Sequence, residues 1–149
     1  MGIYLNPGNE GFWKAVRSKI YVDKTGLITC TNELINTEQQ YICVSRPRRF
    51  GKSMAIKMLA AYYSRGCDST DLFKGFQIES DITFKEHLNQ YDVLYLNMQQ
   101  FLIESENQEL IKYLEREVMD EILEDYREVF TGENSGLANA QKRRNNLYF

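Results

Sequence analysis

Ser45-Arg46-Pro47-Arg48-Arg49-Phe50-Gly51-Lys52-Ser53 is the stretch on which the reading of this 149-residue chain turns. Its end fits the close of the phosphate-binding pattern G-x-x-x-x-G-K-S/T, with Arg46 where the first glycine would stand. The flanks fit as well. Tyr41-Ile42-Cys43-Val44 is a short apolar run with β-branched members, which predicts a buried strand. Met54, Ile56, Met58, Leu59, Ala60, Ala61 and Tyr62 predict a helix from Lys52 to Ser64, stopped at Gly66. Read without those flanks, Lys52 and Ser53 would do no more than start a helix after a basic turn.

Each residue type in the loop has a chemical reason. Gly51 lets backbone approach a phosphate and adopt φ > 0. Successive N–H groups and the positive end of a helix attract an anion. Lys52 is the candidate catalytic cation, reaching the β and γ phosphates, and the Ser53 hydroxyl is the candidate Mg²⁺ ligand. The candidate cofactor-binding set is Arg46, Arg48, Arg49, Phe50, Gly51, Lys52, Ser53 and Met54, with ATP and Mg²⁺ as the cofactors.

The rest of the chain predicts alternating elements. Phe12 to Ser18 reads as a short helix and Ile20-Tyr21-Val22 as extended. Asp23 is placed to cap a helix through Leu27, Ile28, Leu34 and Ile35. Residues 66–80 read as loop, and Thr83 with Glu86 as a capping box. Val93-Leu94-Tyr95-Leu96 is uniformly apolar, as a parallel strand covered on both faces would be. Ser105 and Gln108 suggest a second capping box. The helix after them has Leu110, Ile111, Leu114, Val118, Ile122, Tyr126 and Val129 on one stripe and acidic residues opposite. Strand, helix, helix, strand, helix predicts an α/β fold with a parallel sheet. Residues 131–149 show little periodicity and are expected to form a mobile tail.

Composition narrows the class. Hydrophobic content of 43% and charged content of 26% are those of a soluble globular domain. No apolar stretch is long enough to span a membrane, and the N-terminus lacks the features of a secretory signal. Cys30, Cys43 and Cys67 lack metal-ligand spacing and read as reduced thiols of a cytoplasmic protein. Residues 1–67 hold ten Lys/Arg against four Asp/Glu, and residues 68–149 hold eight against seventeen. The positive part surrounds the loop, which suits a polyanionic ligand. The acidic part reads as a solvated face.

Four segments occur in order: Tyr21-Val22-Asp23-Lys24-Thr25-Gly26-Leu27-Ile28, then Ser45 to Ser53, then Leu72-Phe73-Lys74-Gly75, then Tyr91-Asp92-Val93-Leu94-Tyr95-Leu96-Asn97-Met98. In this the chain resembles the bacterial AAA-ATPase-like family of P-loop proteins over roughly residues 10–100. The resemblance implies a P-loop NTPase-like parallel sheet flanked by helices, here an N-terminal portion in residues 1–130. It also implies a restriction-endonuclease-like C-terminal domain, expected to lie outside these 149 residues, and arginine as the usual residue at position 46. For Asp23-Lys24-Thr25 two readings stay open, a helix cap with an exposed lysine, or a contact to nucleotide.

P-loop hydrolases also use an apolar strand ending in Asp or Asp-Glu. Here Leu96 is followed by Asn97, a weak site candidate, and Asp120-Glu121 falls inside the acidic helix. The chain therefore reads as a truncated ATPase domain, weak in hydrolysis alone. The alternative partner is nucleic acid, gripped at its phosphates by Arg46, Arg48, Arg49 and Lys52.

Overall fold

Aromatic side chains decide where the core of the N-terminal part forms. The computed structural model describes residues 3–45, 47, 49–105 and 109–127. The chain divides into two units, Met1–Tyr95 and Leu96–Phe149. The first contains α1 (Glu10–Val16), α2 (Gly26–Leu34), α3 (Lys52–Tyr63), two 3₁₀ turns at Thr70–Phe73 and Gln77–Ser80, and α4 (Phe84–His87). Phe12 of α1 stacks on Phe73 with ring centres 5.2 Å apart, and Tyr62 of α3 meets Phe73 edge-on at 5.4 Å. Ile28, Met58, Ala61, Ile78, Phe84 and Leu88 close the cluster. Each large side chain buried this way contributes about 1.5–3 kcal/mol.

Polar groups inside this core have partners. The Tyr62 hydroxyl donates to the Phe84 carbonyl at 2.8 Å and accepts from Asn32 Nδ2 at 3.1 Å. Burial pushes this phenol up to about 12, more than the Asn32 hydrogen bond lowers it. Thr83 precedes α4, but its hydroxyl donates to Asp81 and accepts from Asn32 rather than closing a capping box.

The predicted parallel sheet is absent from the described residues. Among the described residues extended pairing is limited to two isolated bridges, Leu5 with Leu94 antiparallel and Ser64 with Tyr91 parallel. The α/β, P-loop NTPase-like sheet expected from the sequence is therefore replaced by a helical arrangement. Residues 93–95 take their backbone partners from the N-terminus, with Asn6 N–H donating to Val93 O and Tyr95 N–H donating to Tyr4 O, both at 2.8 Å. Tyr41-Ile42-Cys43-Val44 is irregular, and Tyr41, Ile42 and Val44 are 87%, 46% and 50% exposed. A short apolar run gives the same signal whether it becomes a buried strand or an exposed connection, and only a neighbouring strand turns it into the first.

The second unit contains α5 (Met98–Glu104) and α6 (Leu110–Asp125). Phe101 is buried and meets the Tyr113 ring edge-on at 6.1 Å. The apolar stripe of α6 is there, yet no residue of the helix is fully buried. Ser105 follows α5 and is buried, whereas Gln108, Val129 and the tail 131–149 lie outside the described residues.

Candidate functional site

Gly51 sets the geometry of the loop. It is the residue before α3, and its φ of 79° is in the left-handed region that glycine adopts without strain. Its carbonyl accepts the first helical bond, from Ala55 N–H at 2.9 Å. The N–H groups of Lys52, Ser53 and Met54 thus belong to the first turn, where no helical carbonyl reaches them. Among the described residues no side chain caps this end of the helix. Lys52 and Ser53 are exposed and Met54 is half-buried. Met58, Ala61 and Tyr62 fix the other half of α3 in the core, so the helix is anchored by its far end and presents its first turn to solvent.

The residues before Gly51 turn sharply. Arg49 has a φ of 68°, a left-handed conformation that is strained for a side chain of this kind. Phe50 is 62% exposed, too open for a core residue. Arg46 and Arg48, candidates from the sequence, lie outside the described residues.

A second segment reaches the loop from residues 23–25. Asp23 Oδ1 accepts from Thr25 N–H at 2.8 Å and Oδ2 from Gln77 N–H at 2.9 Å. Burial acts to raise the Asp23 carboxyl, but the hydrogen bonds from Gln77 and Thr25 outweigh it and hold the carboxyl below its ordinary value. Thr25 is buried and its hydroxyl oxygen accepts from Ile78 N–H at 3.2 Å. Between these two fixed residues, Lys24 extends to the loop and donates from Nζ to the Phe50 carbonyl at 3.2 Å. The same ammonium lies 2.9 Å from where a Cβ on residue 51 would stand. Gly51 is thus favoured by its φ, while a Cβ there would only push aside the flexible tip of Lys24.

The structure assigns the three residues different tasks. Thr25, not Asp23, is the residue before α2, and Asp23 ties that end of α2 to the turn at 77–80. Gln77 and Ile78 gave no sequence signal, because they act through backbone N–H. The Lys24–Phe50 contact spans 26 positions and leaves no periodic trace. Among the described residues neither Lys24 nor Arg49 forms an ion pair with a carboxylate. Asn97 directly precedes α5, in the second unit. Among the described residues no set of three or more His, Cys, Asp or Glu side chains is grouped to hold a metal ion. Ser53 has the chemistry to give Mg²⁺ one oxygen. No helix among those residues is long and apolar enough to cross a membrane.

The sequence profile of a family described as "Predicted AAA-ATPase" matches residues 12–147. The chain belongs to this AAA-ATPase-like family. The match takes in the loop, the Asp23-Lys24-Thr25 segment and both units, and runs well past residue 100, where the resemblance seen in the motifs ends. No curated protein matches the chain, and no solved structure does.

Proposed function

We propose that this AAA-ATPase-like chain binds ATP with Mg²⁺ and that residues 49–54 seat the polyphosphate. One observation carries the reading: a left-handed Gly51 opens α3 directly before exposed Lys52 and Ser53. That arrangement offers first-turn N–H groups and the positive end of a 12-residue helix to an anion. Lys52 would hold the terminal phosphates and Ser53 one side of Mg²⁺, while Arg46, Arg48 and Arg49 add positive charge around them. Membership of the family supports the choice of a nucleotide over other polyanions.

Turnover by this chain alone is expected to be slow. Ser53 offers the metal one oxygen, and Asp92 is engaged by Arg65 at 3.1 Å and by Asn6 Nδ2 at 2.9 Å. Electrostatic positioning of metal and water supplies most of the rate in phosphoryl transfer. Titration with a labelled ATP, followed by phosphate release on the same samples, tests both parts. Lys52→Ala is expected to remain folded and to bind about ten- to a hundred-fold more weakly, as loss of a charge-assisted contact implies. Phosphate release by the unmodified chain is expected below about 1 s⁻¹. Equal affinities in two folded proteins would contradict the seat. An ordinary enzyme rate abolished by Lys52→Ala would contradict the slow turnover.

A further inference from the structure

We propose that Lys24 is a second, transferable cation of the phosphate seat: it holds the empty loop through the Phe50 carbonyl and moves its ammonium to the polyphosphate when nucleotide binds. The inference rests on the nucleotide reading above and adds a residue 26 positions away from the loop it serves.

Three observations lead there. The base of Lys24 is fixed from both sides, by Asp23 on the N–H groups of Thr25 and Gln77 and by buried Thr25 on Ile78. The tip, in contrast, is held by a single exposed hydrogen bond to a neutral carbonyl. Such a bond adds little to stability and is readily exchanged for a stronger partner. The charge is also uncompensated locally. Asp23 is adjacent in sequence, but both its oxygens face backbone N–H groups, and Lys24 has no ion pair among the described residues. A rigid base, a weakly tied tip and an unneutralised charge beside the start of α3 describe a cation kept in readiness for an anion. Gly51 has no Cβ, and the ammonium stands 2.9 Å from where one would be, directly beside the residue that opens α3.

The test uses the full chain in four forms: unmodified, Lys24→Met, Lys24→Arg and Lys52→Ala. Each is titrated with labelled ATP and Mg²⁺, and in competition with inorganic tripolyphosphate, and each is melted to verify folding. Lys24→Met keeps the length of the side chain and removes its charge. It is expected to weaken both ligands by about ten-fold, one charge-assisted contact's worth, with an unchanged melting temperature. Lys24→Arg is expected to restore most of the loss. Equal loss for ATP and tripolyphosphate places the effect on phosphate rather than on the base. Unmodified affinity in Lys24→Met beside a weakened Lys52→Ala overturns the role of Lys24 and leaves the seat standing. Failure of the unmodified chain to bind, or an unaffected Lys52→Ala, overturns the seat and the Lys24 role with it. A loss in Lys24→Met that comes with a lowered melting temperature and no rescue by arginine shows a structural tie only, and overturns the transfer.

Discussion

Asp23 shows how one carboxylate can organise a site it does not line. Its oxygens accept from Thr25 N–H and Gln77 N–H, joining the start of α2 to the start of a 3₁₀ turn. Removing them leaves two N–H groups without partners, so Asp23→Ala is expected to destabilise the fold by about 1–2 kcal/mol and to loosen Lys24. The pH dependence has a definite sign. Hydrogen bonds hold the Asp23 carboxyl below its ordinary value of 3.8 in the folded state. Its contribution is therefore complete above that value and is lost as pH falls below it through the folded-state value. Urea unfolding at pH 7 and at stepwise lower pH checks both points. The two proteins should converge in stability as pH falls, and a constant gap down to the lowest pH would contradict the assignment. From the sequence, Asp23-Lys24-Thr25 supported a cap or a ligand contact equally well. A motif gives residue types in order, whereas Gln77 and Ile78, which tie Asp23 and Thr25, are backbone partners more than fifty positions away.

At the scale of the element, α3 was legible and the segment before it was not. The helix begins at Lys52 and ends at Tyr63, within one residue of the reading from its apolar periodicity. Glycine before it and the apolar stripe within it are local signals, and local signals survive folding. Residues 41–44 carry a signal that is local only in part, since a strand needs neighbours, and the 93–95 segment pairs with residues 4–6 instead. The far end of α3 has its own device. Asn89, at a φ of 57°, donates from Nδ2 to the Ala61 and Ser64 carbonyls at 3.2 and 2.7 Å and accepts from Ser69 N–H at 3.0 Å. Amid these bonds the Ser64 Oγ is buried and has no hydrogen-bond partner among the described residues. A buried hydroxyl without a partner is a burden on stability. Ser64→Ala is thus expected to be neutral or to stabilise by up to about 1 kcal/mol, measured by chemical unfolding. A loss of more than that would show that Oγ has a partner and contradict the account of this helix end.

For the whole molecule, the family was readable in the chain, while the architecture was not. Ordered motifs identify a family without stating how its segments pair. The loop and the Asp23-Lys24-Thr25 segment lie far apart in sequence, yet the core built on Phe12, Tyr62 and Phe73 belongs to the same unit as both. The excess of basic residues in 1–67, the part of the sequence that holds the loop, should draw a polyanion toward it. That attraction alone would not distinguish ATP from nucleic acid, because phosphate charge is common to both. The most direct measurement is an amide-resolved NMR titration of the full chain with ATP and Mg²⁺, repeated with a short single-stranded DNA. Saturable shifts are expected, centred on the N–H groups of Gly51, Lys52 and Ser53 with ATP and Mg²⁺, lost in Lys52→Ala and not reproduced by the DNA at moderate salt. Unmoved amides at those three residues, or shifts that the DNA reproduces equally well, would contradict the proposed nucleotide seat.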